Sequence, residues 1–158
     1  MSSVHKINIK HLLISLAISL GTGALSGLLT MGGMKKFEMV AKPPLTPPDA
    51  VFPVVWTILF ALMGISAYLV YEENPRILSS ALVVYAIQLA VNFVWPLFFF
   101  NQQKFLPAFF IIIGLWLLII VMIKQFYKVN RTAALLQIPY LIWVTFAAYL
   151  NFGVYLLN

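Results

Sequence analysis

Charged residues fall in clusters along this chain and leave uncharged runs at 12–34, 50–71, 77–103, 105–123 and 132–158. A bilayer hydrocarbon core about 30 Å thick needs about 20 helical residues, so each run is long enough to cross it. Lipid offers backbone N–H and C=O groups no partner, which makes such runs helices, and the roughly ten-residue alternating segments of a membrane β-barrel are absent. The pattern predicts an all-α membrane protein, a five-transmembrane-helix bundle with helices at about 11–31, 52–71, 77–100, 105–124 and 132–156 in a single domain over 1–158. Short turns at 72–76, 101–104 and 125–131 force neighbouring helices to run antiparallel.

The connection over 32–51 is different. It begins with Gly32-Gly33, carries Lys35, Lys36 and Glu38, and ends in "KPPLTPPDAVFP", where Pro43, Pro44, Pro47, Pro48 and Pro53 crowd together. Such a segment is predicted not to form a regular helix. Fixed φ angles lower the entropy lost when it packs down, which suits an ordered, proline-rich lid over the mouth of the bundle; the competing reading is a rigid linker. The apolar Val40, Leu45, Val51 and Phe52 favour the lid. Pro53 is expected at the first position of the second helix, with Asp49 capping a turn before it.

Composition agrees with the pattern. The chain is 63% hydrophobic and 9% charged, against about 45–50% and 25% in soluble domains. The net charge of +6 resides on Lys and Arg in short loops, where they fix topology and meet anionic headgroups of the lipid bilayer; no nucleic-acid partner is expected. With the N-terminus cytoplasmic, Lys6, Lys10, Arg76, Lys124, Lys128 and Arg131 lie inside against Lys35, Lys36, Lys42 and Lys104 outside, a small bias toward that orientation. The start "VHKINIKHLLISLAISLGTGA" resembles a signal peptide with a cut after Ala24, but apolar character continues through Leu28, Leu29 and Met31. Ala17, Gly21, Gly23 and Gly27 also form two small-xxx-small pairs, and a retained first helix is the better expectation. Without cysteine there is no disulfide, thiolate nucleophile or sulfur-ligated metal, and with no targeting segment recognised the expected location is a bacterial plasma membrane.

No Asp, Glu, Lys, Arg or His occupies the centre of any predicted helix, which argues against proton relays, ion pumps and acid–base catalysis at membrane depth. His5 and His11, six residues apart near the first helix, face different sides of a turn, so no metal site is expected. The serines lack His and carboxylate partners for nucleophilic catalysis. What remains is uncharged. Gln88, Asn92, Trp95 and Phe99 form one stripe on the third helix at spacings of four, three and four. The two amides must face another helix, water or a ligand, and interhelical bonding and ligand contact are equally open. The second helix carries Trp56, Phe60, Met63 and Ala67 at similar spacing; the fifth carries Tyr140, Ala147 and Asn151 with Trp143 on its flank. Aromatic stripes are more often packing than pocket. Here the indole N–H groups of Trp56, Trp95 and Trp143, the accompanying amides and the stiff loop beside Trp56 raise the pocket reading, in which a flat aromatic ligand stacks. Trp116 is read as a lipid-facing or packing residue, and Phe98, Phe99 and Phe100 as an interfacial belt.

The stretches "KPPLTPPDAVFPVVWTILFALMGISAYLVY" at 42–71, "QLAVNFVWPLFFF" at 88–100 and "IPYLIWVTFAAYLNF" at 138–152 resemble the translocator protein family, also called tryptophan-rich sensory or TspO/MBR proteins, over nearly the whole chain. The resemblance implies a pocket closed by the first loop that binds tetrapyrroles such as protoporphyrin IX and haem, as well as isoquinoline carboxamides, in a homodimer. By position in these motifs Trp56 and Trp143 match the tryptophans linked to light-dependent porphyrin degradation, while Phe60, Asn92, Trp95 and Ala147 fall on pocket-lining helices. An indole beside an excited porphyrin donates an electron or traps reactive oxygen without acid–base groups, so no cofactor is required and porphyrin itself is the ligand or substrate. The chain departs from the animal members' sterol motif: no Lys or Arg follows Tyr155, and the formal match at Val121, Tyr127 and Arg131 does not support sterol binding. Two other functions compete: a transporter of porphyrins or other lipophiles, and a non-catalytic membrane partner dimerising through Gly23 with Gly27 or Ala86 with Ala90.

Overall fold

The computed structural model describes residues 6–158, and His5 lies outside them. Five helical spans long and apolar enough to cross a bilayer run over Ile9–Leu29, Val51–Glu73, Ser80–Asn101, Phe105–Val129 and Arg131–Leu157, as the uncharged runs predict. They comprise helices α1 (Ile9–Leu29), α3 (Val51–Glu73), α4 (Ser80–Pro96), α5 (Phe105–Val129), α6 (Arg131–Leu135) and α7 (Ile138–Leu157), with a short α2 (Met31–Phe37) between the first two spans. In the bundle α1 packs along α3 and also touches α4; α4 packs on α5, α5 on α7, and α6 closes back on α3.

The first correction concerns the connection after α1. The helix ends at Leu29, where Thr30 turns its hydroxyl back to the Ser26 carbonyl at 2.8 Å, and the next seven residues form α2 instead of irregular chain. Each helical glycine costs about 1 kcal/mol relative to alanine, yet Gly33 is needed: a Cβ there would collide with Asn101 and the Phe100 backbone. Phe37 at the end of α2 packs its ring 5.4 Å from Phe99 and 5.3 Å from Phe100. Tertiary burial outweighs local propensity in this segment. The same contacts correct the interfacial-belt reading of 98–100, since Phe99 is buried and Phe100 turns inward.

Helix ends shift where caps outrank hydropathy. α4 starts at Ser80 because the Ser79 hydroxyl accepts from the Leu82 N–H, three residues later than the apolar run suggests. α5 continues past Lys124 to Val129, since a lysine at a helix end keeps its ammonium at the interface without breaking the helix. Pro53 stands third in α3, not first; the first four N–H groups of a helix lack partners anyway, so the missing donor still costs no bond. The expected single helix over 132–156 is broken at Leu136–Gln137. Pro139 has no N–H for the Leu135 carbonyl and its ring crowds that group. Gln137 then bonds the Ala134 carbonyl at 3.1 Å, and Ser66 of α3 donates to the Ala133 carbonyl at 3.1 Å. Pro96 has a related effect on α4: it cannot donate to the Asn92 carbonyl, and the span continues as a widened π turn over Leu97–Asn101.

The α1–α3 pair is a close approach built on glycine. A Cβ at Gly64 would lie 2.6 Å from Ser19 Oγ and 3.1 Å from Leu16 Cα, and Ser15 Oγ donates to the Gly64 carbonyl at 2.7 Å. Farther down, the Asn8 N–H donates to Tyr68 Oη at 2.9 Å and His11 Nδ1 lies 2.6 Å from Glu72 Oε1. Gly64→Ala is expected to separate these helices at a cost of about 1–3 kcal/mol, read as a lower thermal midpoint for the detergent-solubilised protein; an unchanged midpoint would show that the glycine is not required.

Candidate functional site

A cavity of about 460 Å³ lies between α1, α3, α4 and α7, beneath α2. Its lining carries no charged side chain. Trp56 and Phe60 reach it from α3, Asn92 and Trp95 from α4, and Trp143 and Ala147 from α7, so six of the seven residues expected to contact a ligand meet at one hollow. The four-three-four stripe on α4 is the reason three turns of one helix point the same way: Gln88, Asn92, Trp95 and Phe99 are all buried.

Tyr140 is the exception. It is buried behind the wall and does not line the cavity; its ring sits 6.3 Å from that of Trp56. The hydroxyl donates to Gln88 Oε1 at 2.7 Å and accepts from Asn92 Nδ2 at 2.7 Å. Gln88 thereby serves as interhelical bonding, while Asn92 both bonds across helices and faces the cavity.

The three cavity indoles are not equivalent. Trp95 Nε1 donates to Asn151 Oδ1 at 2.9 Å, and Asn151 Nδ2 donates in turn to the Phe105 carbonyl at 2.7 Å, which ties α4, α7 and α5 together. Trp95 is therefore held in place and its N–H is spent. Trp56 packs 5.8 Å from Phe60, and Trp143 packs 5.9 Å from Phe52 across the α3–α7 side. Trp143 Nε1 is buried without a partner. A buried donor left unpaired costs about 1–3 kcal/mol, so Trp143 lines the hollow with its ring while its N–H stays covered by the bundle at a cost. Trp116 stands outside the cavity, as expected, and donates to Thr145 Oγ1 on α7 at 2.8 Å.

Sequence reasoning missed α1 and α2. Gly23, Ser26 and Gly27 of α1 and Met34 and Phe37 of α2 complete the lining. A Cβ on Gly23 would lie 2.5 Å from the Phe60 ring, whereas one on Gly27 would meet nothing within 4 Å: the first glycine admits an aromatic wall and the second leaves empty space. Gly23 with Gly27, one of the two pairs expected to drive self-association, thus faces the cavity; Ala86 and Ala90 lie on the exposed side of α4. The signal was present, because small residues opposite large aromatic ones leave volume as readily as they invite a helix.

The proline segment lies over the ends of α7 and α2. Pro43 packs against Gly153, where a Cβ would come within 2.6 Å of its ring. Tyr149 Oη donates to the Pro44 carbonyl at 2.8 Å. Asn158 clasps Ala41 twice, accepting from its N–H at 3.1 Å and donating to its carbonyl at 2.8 Å. Lys42 Nζ sits 4.9 Å from the centre of the Phe37 ring.

Five membrane-spanning helices around an uncharged aromatic hollow define an integral membrane protein with an internal cavity. The TspO/MBR family pattern matches residues 14–157, and the chain belongs to that family. It is 40% identical to the tryptophan-rich protein TspO of Chlorobaculum tepidum over 77% of this chain and 78% of that one. Identity to the TspO of Archaeoglobus fulgidus is 35% over 96% and 99% of the two chains. It is 32% for the translocator protein of Bos taurus over 85% and 81%.

Cutting the strap's two anchors, in an Asn158→Ala and Tyr149→Phe double variant that removes three hydrogen bonds to the strap, is expected to raise amide hydrogen exchange over 41–48 by at least about tenfold. Exchange equal to that of the parent would mean the strap is held by proline packing alone.

Proposed function

We propose that this protein binds tetrapyrroles such as protoporphyrin IX in the cavity between α1, α3, α4 and α7 and disposes of them, or senses them, through light-dependent oxidation. The observation that carries the reading is the uncharged aromatic hollow into which Trp56 and Trp143 both reach. A flat macrocycle fits between such walls by stacking. Under illumination an indole at contact distance gives an electron to the excited macrocycle, which hands it to dioxygen. The indole radical cation recovers an electron from the ground-state macrocycle, and the superoxide adds to the oxidised ring. Macrocycle plus dioxygen thus gives oxygenated macrocycle, and the protein's part is orientation and enclosure. Isoquinoline carboxamides fit the same hollow by stacking.

The strap acts as the lid on this reading, its register held by Tyr149 and Asn158. Orientation follows the loop charges, with the N-terminus cytoplasmic in a bacterial plasma membrane. A second copy fits against the exposed Ala86 and Ala90 of α4, where small residues let backbones approach.

Porphyrin added to the purified protein is expected to quench tryptophan fluorescence saturably. Under light, Trp56→Phe and Trp143→Phe are expected to slow loss of the bound pigment by about 10-fold or more while binding falls by less, because a benzene ring keeps most of the stacking and lacks the indole's oxidation chemistry. Degradation at the parental rate by folded, porphyrin-bound variants would remove the oxidative role and leave binding intact.

A further inference from the structure

The polarity of the cavity is set from behind its wall. Met63 on α3, Gln88 on α4 and Tyr140 on α7 are almost fully buried. Gln88 Nε2 lies 3.8 Å from Met63 Sδ, Tyr140 Oη lies 2.7 Å from Gln88 Oε1, and Asn92 Nδ2 lies 2.7 Å from Tyr140 Oη. Positions of heavy atoms alone permit this chain of bonds to run either way, because an amide turned by half a rotation exchanges its N and O and a hydroxyl proton points to either neighbour.

The thioether decides. A methionine sulfur has lone pairs and no proton, so it accepts weakly from an N–H and repels a carbonyl oxygen. Gln88 therefore turns its Nε2 to Met63 and its Oε1 to Tyr140. The tyrosine proton is then committed to Gln88, and only the phenolic lone pairs remain for Asn92. Asn92 must donate its Nδ2, which leaves Oδ1 as the free end of a cavity-lining side chain. Among the described residues no group donates to that oxygen. Running the chain in reverse sets two acceptors face to face at Met63 and leaves the Gln88 carbonyl without a donor in a dry interior.

We infer that Met63, Gln88 and Tyr140 are positioning residues that fix Asn92 as a hydrogen-bond acceptor in the cavity wall, so that the cavity selects flat aromatic ligands bearing an N–H donor. The inference rests on the cavity reading above and narrows it to the ligand's hydrogen-bonding pattern. Asn92 supplies the acceptor on α4. A ligand with acceptors only leaves it buried and unpaired, a loss that water does not make good at membrane depth.

Carbazole and dibenzofuran test this directly, being flat tricycles of nearly one shape that differ in an N–H against a ring oxygen. Each is titrated against protoporphyrin IX bound to the full-length protein in detergent. Carbazole is expected to compete about tenfold better with the parent, the scale of one desolvated hydrogen bond. Tyr140→Phe frees the Asn92 amide to rotate, and the ratio is expected to fall to within about twofold. Gln88→Met removes the acceptor of the tyrosine proton, which turns to Asn92 Oδ1 and swings Nδ2 into the cavity; preference then passes to dibenzofuran. A merely structural role would weaken both probes together and leave their ratio unchanged, and either variant that folds suffices. Equal competition by the two probes in the parent, or a ratio unmoved in the folded variants, overturns the inference. Failure of both tricycles while protoporphyrin IX still quenches saturably overturns it alone, whereas loss of porphyrin quenching as well removes the cavity reading on which it rests.

Discussion

The hydrocarbon core of a bilayer contains no water to satisfy a polar group, and the structure of this protein follows from that constraint. Backbone groups close it by forming helices. Side chains close it by bonding across helices: Gln88 to Tyr140 to Asn92, Trp95 to Asn151 to the Phe105 carbonyl, Ser66 to the Ala133 carbonyl, Trp116 to Thr145. These cross-links join α3, α4, α5, α6 and α7 at fixed rotations, in a solvent where apolar contact between helices has little hydrophobic driving force of its own. Against that background the Trp143 N–H stands out, since it is a buried indole donor the bundle leaves without a partner.

The cavity exists because two devices keep the helices from filling it. Gly23 lets the Phe60 ring lie against α1, while Gly27 beside it contributes no side chain at all. Proline redirects backbone at the same space: Pro96, which lines the hollow, opens the α4 span into a π turn. Met34 and Phe37 of α2 then close the hollow from one end. Phe37 anchors α2 on the α4 span, and the far side of the strap is fastened to α7 by Tyr149, Gly153 and Asn158.

Membership of the TspO/MBR family and five spans across the membrane place this chain beside relatives named as tryptophan-rich and translocator proteins. The cavity of this chain is lined by no charged side chain.

Spacing along single helices was readable without coordinates. The stripe from Gln88 to Phe99 and the companions Trp56 and Phe60 declare which face turns inward, because an amide or indole N–H is intolerable against lipid and helical geometry carries that decision through successive turns. The number of spans and the antiparallel order follow from charge placement and loop length in the same local way. What the chain alone left open depends on neighbours distant in sequence. Tyr140 shares a helix with Trp143 and looks equally placed for a ligand, yet Gln88 and Asn92 of α4 draw its hydroxyl behind the wall. Gly32 and Gly33 read as helix breakers, until close contact of Gly33 with the Phe100–Asn101 backbone gives the second of them a helical use. Periodicity and hydropathy are properties of one segment and sequence expresses them; cavity walls, hydrogen-bond direction and the seat of the strap are relations between segments, and only packing decides them.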